Sequence, residues 1–255
     1  MAPLVQAKGI GKSFGGLKAL DGVDLDIHRG EVLALLGDNG AGKSTFVKIL
    51  AGAQPQSRGE IRIEGVPMAF ASPHDAAAAG IATIYQELAL SENLNVVENV
   101  FLGREIVRRV LGLPWLQRRE MRRRVETLLK ELDAHIPDPL ARVGGMSGGQ
   151  RQAVAIARAL DQGGRLVIMD EPTAALAVAE TRKVLKLVRQ LAARNCAVIL
   201  ISHNIGDVFE VADRMAVFRR GRKIAERRRE ATTPDEIVAL ITGAHPDAQA
   251  ADLAA

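Results

Sequence analysis

The sequence predicts an α/β fold built around a mainly parallel sheet. Residues 165–170 (RLVIMD) and 196–202 (CAVILIS) are continuous apolar runs, which is typical of strands buried on both faces of a parallel sheet. Between them, residues 179–194 have the apolar spacing of an amphipathic helix. Strand, helix and strand in this order indicate a βαβ unit.

The N-terminal part predicts an antiparallel β region. Residues 4–36 are short apolar or alternating runs separated by turns that contain Gly and Asp. Residues 61–68 (IRIEGVPM) alternate like a hairpin or edge strand, and residues 81–86 (IATIYQ) resemble a short strand. Near the other end, residues 215–226 predict a hairpin with Gly221 in its turn.

A helical subdomain is expected at about 92–160. Apolar residues recur there at intervals of three and four, with interruptions at 112–115 (GLPW) and 135–139. We therefore expect a single domain over 4–243 with this subdomain inserted in its α/β core. Residues 244–255, rich in Ala and Asp, predict a flexible tail.

Composition narrows the class of protein. The 255 residues are 47% hydrophobic and 25% charged, enough for one sizeable core, which excludes global disorder and fibrous repeats. The apolar runs are far shorter than the roughly 20 residues of a membrane span, and the first residues lack the pattern of a secretory signal. Cys196, the one cysteine, is interpreted as a small core residue. A cytosolic location is expected.

The net charge is +4, and arginine is concentrated in two clusters within residues 118–124 and 219–229. Such clusters can face nucleic acid, anionic lipid headgroups or an acidic partner. The simpler alternative is a solvated helix face for the first and the rim of a hairpin for the second. No aromatic residue is interleaved to stack on bases, which favours the simpler alternative.

Residues 37–44 (GDNGAGKS) match the phosphate-loop pattern G-x-x-x-x-G-K-[ST] between a predicted strand and a predicted helix. The glycines let backbone N–H groups turn toward phosphate oxygens, and the helix start adds the positive end of its dipole. Lys43 provides a cation for the β- and γ-phosphates, and the Ser44 hydroxyl is placed for Mg²⁺. The pattern predicts a P-loop core that binds the phosphates of a nucleotide.

Two carboxylates follow the apolar strand at 165–170. Asp170 and Glu171 are expected at the carboxyl end of that strand, where open α/β sheets bind ligands. Asp170 is suited to Mg²⁺, and Glu171 is suited to take a proton from, or orient, an attacking water. Alone this pair is a weak signal, but with a phosphate loop upstream it predicts nucleotide hydrolysis.

A third motif, residues 146–152 (MSGGQRQ), precedes a helical segment and is called the signature loop below. Ser147 with two glycines just before a helix makes a second anion-receptive helix start. One phosphate loop and one such start in a chain suggest two half-sites that meet across a dimer.

The ordered set GDNGAGKST, IYQEL, MSGGQRQ, RLVIMDEP and LISHN resembles the ATP-binding subunits of ATP-binding-cassette (ABC) transporters, over about residues 4–243. The resemblance implies the ABC type of P-loop fold, ATP hydrolysis and Mg²⁺. It implies that Phe14 stacks on adenine, that Gln86 touches Mg²⁺ or the attacking water, and that His203 contacts the γ-phosphate. It also implies that the opposite subunit's signature loop caps the γ-phosphate. The nucleotide-binding residues it implies are Phe14, Gly37, Asp38, Asn39, Gly40, Ala41, Gly42, Lys43, Ser44, Thr45, Ser147, Gly148, Gly149 and Gln150.

The chain departs from the family pattern at two positions. Ala177 stands where many members have Asp, so it lacks polar contacts across the dimer and looser coupling of the two sites is expected. Met146 replaces the commoner Leu, a volume-conserving change expected to be mild. Lys43, Asp170, Glu171 and His203 are all present, so an active ATPase is expected.

Segments such as NLNVVENVFLGRE and ISHNIGDVFEVADRMAVFRRGR resemble carbohydrate importers of the ribose/fructose type, in their single-domain form. This implies a monosaccharide importer in which a second copy, membrane permease subunits and indirectly a sugar-binding protein are partners. The expected place is the cytoplasmic face of the membrane. The surface near Gln86 and the helical subdomain is the expected docking site, with residues 87–104 as the favoured contact stretch; the alternative for the apolar positions of that stretch is the core of the subdomain.

Two alternatives stay open. One is an importer ATPase for another cargo, such as branched-chain amino acids or lipids, which would share every catalytic residue. The other is a soluble ABC ATPase that acts on nucleic acid or ribosomes, which the arginine clusters favour. The absence of tandem ATPase halves and of long coiled-coil insertions argues against it, and no specific nucleic acid is expected.

Overall fold

The computed structural model describes residues 2–110 and 113–253. Its strands are β1 (Val5–Phe14), β2 (Leu17–Ile27), β3 (Val32–Leu36), β4 (Arg58–Ile63), β5 (Val66–Met68), β6 (Ile81–Ile84), β7 (Val107–Val110), β8 (Leu113–Leu116), β9 (Leu166–Asp170), β10 (Ala197–Ile201), β11 (Arg214–Arg219) and β12 (Arg222–Arg228). Its α-helices are α1 (Lys43–Leu50), α2 (Pro73–Ala78), α3 (Val96–Phe101), α4 (Arg118–Glu131), α5 (Gly148–Asp161), α6 (Val178–Ala193), α7 (Ile205–Val211), α8 (Pro234–Thr242) and α9 (Pro246–Leu253).

The central sheet has the strand order β12-β11-β3-β10-β9-β6 and is parallel except for β12, which pairs antiparallel with β11. Strands β3, β9 and β10 are neighbours, so their carboxyl ends share one edge of the sheet. That edge carries the segments that follow Leu36, Asp170 and Ile201. A parallel sheet thus collects motifs that are far apart in the chain.

A second, antiparallel sheet has the order β2-β1-β4-β5, as the N-terminal sequence predicts. Alternate side chains of the central strands point to opposite faces and build two cores. Leu33, Ile168 and Ile199 pack toward the antiparallel sheet and α1. Val167 and Val198 belong to the core on the side of α5 and α6. The predicted α/β class is confirmed.

The segment predicted as a mostly helical subdomain contains α3, α4 and α5, but it also contains a β-hairpin formed by β7 and β8. The predicted interruption begins at Gly112, which lies outside the described residues. Residues of the β-branched and aromatic types, such as Val107 and Trp115, favour strands, which explains why this segment forms a hairpin. The apolar spacing of three and four stops before this segment and resumes after it.

The flexible tail predicted at 244–255 is wrong for residues 246–253, which form α9. Ala248 is fully buried, and the Arg227 guanidinium donates a 2.6 Å hydrogen bond to Asp247 Oδ2. Alanine and aspartate look like tail composition, yet Ala is also the strongest helix former. Ala254 and Ala255, the rest of the predicted tail, lie outside the described residues.

Cys196 precedes β10 and is buried, as the sequence predicts. Burial raises the pKa of its thiol to about 11, so the reactive thiolate is scarce at neutral pH. Among the described residues, no helix is long and apolar enough to cross a bilayer.

Candidate nucleotide site

The phosphate loop connects β3 to α1 and is packed closely against the neighbouring backbone. Gly37 has φ 143°, and a Cβ added there would lie 2.2 Å from the carbonyl oxygen of Phe218. Gly42 has φ 106°, and a Cβ there would lie 3.0 Å from the carbonyl oxygen of Ala19. Both the torsion angles and these approaches require glycine. The loop geometry is therefore fixed by its surroundings.

Lys43 lies inside this loop with only 7% of its surface exposed. Its Nζ donates hydrogen bonds to the carbonyl oxygens of Gly37 (2.6 Å) and Asp38 (3.0 Å). Burial lowers the pKa of Lys43, while Glu171, Asp38 and Asp170 oppose that shift. A buried ammonium beside the unpaired N–H groups of a helix start is an environment that favours a polyanion.

Asp170 ends β9 at the same edge. Burial raises the pKa of its carboxyl group, and the charges of Lys43 and His203 act against that increase. Ser44, in the first turn of α1, is exposed. Among the described residues no group of three or more His, Cys, Asp or Glu could hold a metal by itself. The available donors, one hydroxyl and one or two carboxylates, fit Mg²⁺, which keeps several waters and relies on phosphate oxygens.

Glu171 follows immediately and is held in a left-handed conformation, with φ 51°. Its N–H donates to the carbonyl oxygen of Ile201 (2.9 Å), which ties the end of β9 to the end of β10. His203 Nε2 lies 3.3 Å from Glu171 Oε1, and the His203 backbone N–H donates to Oε2 over 3.5 Å. Oε1 is buried and accepts no well-aligned hydrogen bond. Burial also raises the pKa of Glu171, so this oxygen is suited to accept a proton.

A partly buried hydrogen-bonded pair that sequence reasoning missed supports this arrangement. Thr173 Oγ1 donates a 2.8 Å hydrogen bond to Asp207 Oδ2, which joins the segment after Glu171 to the first turn of α7. Asn204 caps that helix by accepting from the N–H of Asp207. The available signal was the spacing Asn204-x-x-Asp207 after the apolar run, a capping pattern.

Gln86 is exposed two residues after β6. The segment that follows it is anchored by Arg158 near the end of α5, which donates to the carbonyl oxygens of Leu88 (2.9 Å) and Ala89 (2.8 Å). The buried amide of Asn99 donates to the carbonyl oxygen of Ser91 and accepts from its N–H. Sequence reasoning missed both anchors because their partners are backbone groups, which residue types do not reveal, and those of Arg158 are about 70 residues away.

The signature loop begins α5. Ser147 Oγ accepts from the N–H of Gln150 (3.4 Å), and Gln150 Oε1 accepts from the N–H of Ser147 (3.0 Å), which is a capping box. A Cβ added to Gly148 would lie 2.4 Å from Leu176 Cδ2, so this glycine lets α5 pack against the segment after Thr173. Ser147 itself is exposed.

Phe14 ends β1 with 48% of its surface exposed and with Lys12 Nζ 5.2 Å from its ring centroid. The structure brings Lys43, Asp170, Glu171 and His203 together, as shown by the contacts and charge effects above. Within the described part of the chain, no hydrogen bond or ion pair joins Phe14, Gln86 or Ser147 to that group.

Residues 20–174 match the family model described as ABC transporter. The chain belongs to the ABC transporter family. It is 46% identical to the xylose/arabinose import ATP-binding protein XylG of Sulfolobus acidocaldarius over 95% of each chain. It is also 46% identical to the fructose import ATP-binding protein FrcA of Rhizobium meliloti, again over 95% of each. The ribose import ATP-binding protein RbsA of Yersinia pestis is 43% identical over 94% of this chain and 46% of its own length.

Solved structures of ATP-binding cassettes have the same fold as this chain. The ADP conformation of an ATP-binding cassette of an ABC transporter superposes with a TM-score of 0.80 at 26% identity and covers 99% of both chains. A dimeric post-hydrolysis cassette bound to ADP and phosphate has a TM-score of 0.72 at 25% identity, over 89% of this chain and all of the other. The predicted family and fold are confirmed, and the chain is an ABC-type ATPase.

Proposed function

We propose that this chain is the ATP-hydrolysing subunit of a monosaccharide importer. The observation that carries the catalytic part is the convergence of Lys43, Asp170, Glu171 and His203 at one edge of the sheet. The sugar class is supported by the similarity to proteins named for import of xylose or arabinose, fructose and ribose.

Phosphoryl transfer mainly requires that the reacting groups are positioned and that developing charge is stabilised, and the chain has residues for both tasks. Lys43 and the N–H groups of the phosphate loop bind the phosphates of ATP. Mg²⁺, held by Ser44 and Asp170 with Gln86 nearby, would neutralise charge on the phosphate oxygens. Glu171 Oε1 accepts a proton from the attacking water, and His203 keeps that carboxylate in place and contacts the γ-phosphate.

Phe14 is the group we assign to the adenine. Its half-exposed ring has the flat apolar face that stacking requires. Because Ser147 is exposed and uses its hydroxyl only to cap α5, we assign it to the γ-phosphate of a second copy. Two copies would then form two sites, each with the phosphate loop of one chain and the signature loop of the other.

Gln86 and the exposed positions of residues 87–104 form the surface that we assign to the permease; the buried apolar side chains of α3, within this range, belong to the core. The part of this segment before α3 is fixed to α5 by Arg158. A displacement at the permease can therefore reach the helix that begins at Ser147. The protein would act at the cytoplasmic face of the membrane as a peripheral subunit.

The decisive experiment is affinity purification of the Glu171→Gln protein from native membranes in Mg-ATP. This variant should bind ATP without turning it over and should retain a polytopic permease encoded with a sugar-binding protein. Hydrolysis at the native rate would contradict the role of Glu171. Recovery of ribosomes or nucleic acid without a membrane protein would favour the non-transport alternative. Uptake of xylose, arabinose, fructose and ribose in a deletion strain then identifies the cargo.

A further inference from the structure

The β7–β8 hairpin is a two-stranded sheet of its own, inserted between α3 and α4. A lone two-stranded hairpin is marginally stable in water and is normally covered by something else. Its apolar side chains are instead exposed: Val107 by 51%, Leu113 by 70%, Trp115 by 66% and Leu116 by 36%. This concentration of large apolar groups marks an interaction surface.

The register shows that both faces of the hairpin carry exposed apolar side chains. Val107 pairs with Leu116, and Arg108 pairs with Trp115, so these two pairs point to opposite faces. A flat protein surface covers one face of a hairpin. A medium that surrounds the hairpin, such as the headgroup region of a bilayer, covers both.

The surrounding charge is strongly positive. Residues 104–124 contain eight arginines and two glutamates, a net charge of +6, while the whole chain carries +4, so the remainder is net negative. Within the described residues, no hydrogen bond or ion pair engages the side chains of six of these arginines, Arg104 and five others. The five others are Arg108, Arg109, Arg118, Arg119 and Arg123.

The other arginine cluster makes a contrast. Arg227 is paired with Glu236 and Asp247, and Arg222 is paired with Asp21. These charges are already compensated within the protein. The unpaired arginines around the hairpin are not compensated in this way, and they lie close in sequence to exposed leucine and tryptophan.

We propose that the β7–β8 hairpin and the start of α4 bind directly to an anionic phospholipid surface. Trp115 and Leu113 would enter the headgroup region, where an amphipathic indole ring is favoured. The unpaired arginines would contact lipid phosphates, each contributing about fivefold to partitioning. This goes beyond the function proposed above, because the contact needs neither the permease nor ATP.

Trp115 is the one tryptophan of the sequence, so its fluorescence reports on this contact alone. The full-length protein is mixed at low ionic strength with vesicles of phosphatidylcholine, or of equimolar phosphatidylcholine and phosphatidylglycerol. With the anionic vesicles we expect a blue-shifted emission that is quenched by lipids brominated on the acyl chain and reversed by salt. An unchanged emission with anionic vesicles, or an equal shift with both kinds, would overturn the proposal.

Variants separate lipid from other partners. Replacing both Arg108 and Arg109 with Ser should lower partitioning roughly 20-fold, while replacing both with Lys should retain it within a few-fold, since lipid attraction depends on charge. A protein carboxylate partner would distinguish Arg from Lys, because it favours the bidentate guanidinium. Loss of binding in the Lys variant would therefore contradict a lipid surface.

The matched control replaces Arg182 and Arg228 with Ser, two exposed arginines remote in sequence from the hairpin. It makes the same change in net charge and should leave partitioning and basal ATPase activity unchanged. An equal loss in this control would show that only net charge matters and would reject the hairpin as the site. A larger emission change with a single-stranded oligonucleotide than with anionic vesicles would likewise replace lipid with nucleic acid. Because vesicles contain no permease, failure here leaves the importer proposal intact.

Discussion

The phosphate-loop side and the signature side of the candidate site are built by different means. Around the phosphate loop, charged groups are buried: Lys43 is 7% exposed, and burial shifts the pKa values of Asp170 and Glu171 upward. At the signature loop, Ser147 is exposed and its surroundings supply capping hydrogen bonds and no buried charge. The first half therefore has the buried charge that we assign to phosphate binding, whereas the second offers one helix start that we assign to a second copy.

The largest expected effect is at the phosphate loop. Lys43→Ala should weaken ATP binding roughly 10- to 100-fold, because a hydrogen bond to a charged group contributes about 1.5–3 kcal/mol. Titration with ATP in the presence of Mg²⁺ measures this. Lys48→Ala, an exposed change on the same helix, is the control. Undiminished affinity in the Lys43 variant would remove this lysine from the site.

The second test separates capping from binding at the signature loop. Ser147→Ala should lower the free energy of unfolding by about 1 kcal/mol through loss of the cap, and should also weaken ATP-dependent dimer formation in the Glu171→Gln background. Ser72→Ala removes a cap with the same 3.4 Å geometry from α2, in a capping box with Asp75. It should lower stability similarly and leave dimerisation unchanged. Equal dimerisation in both variants would make Ser147 a structural residue only.

The third test concerns Ala177, which stands where many family members have Asp, and its expected effect is smaller. Ala177 occupies the N-cap position of α6 with extended backbone angles and no side-chain cap. Ala177→Asp should therefore raise the free energy of unfolding by about 0.5–1 kcal/mol, seen as a melting temperature a few degrees higher. Val178→Asp, one residue further on, adds the same charge without a cap and should stabilise less. A gain in dimer formation with the first variant alone would show that the missing Asp also affects coupling.

The smallest expected effect concerns pH. Since burial raises the pKa of Glu171, ionising it in the folded protein opposes folding, and this penalty is present above the folded pKa. The Glu171→Gln protein should therefore melt higher than the native protein at pH 7 to 8. The difference should vanish as the pH falls below the ordinary value of 4.5. Glu230→Gln, at an exposed position, should show no such dependence. A constant difference at all pH values would contradict burial as the cause.

The motifs could be predicted from the sequence because each is a short run of consecutive residues. Eight consecutive residues specify the phosphate loop, and the apolar runs at 166–170 and 197–201 indicate buried strands. The parallel arrangement then follows from the alternation of strand and helix, and with it the meeting of Lys43, Asp170 and Glu171 at one edge.

The sequence by itself determined the family, the α/β fold and the residues that we assign to the nucleotide, because each motif is a short run of residue types in a fixed order. Only the tertiary structure decided that β7 and β8 form an exposed hairpin and that α9 packs where a loose tail was expected. It also decided that Arg158 holds the segment after Gln86 through carbonyl oxygens about 70 residues away in sequence. The packing of α9 and the anchoring by Arg158 depend on contacts with groups distant in sequence, and the hairpin depends on the cross-strand pairing of β7 with β8. Apolar periodicity within a helix encodes neither kind of contact.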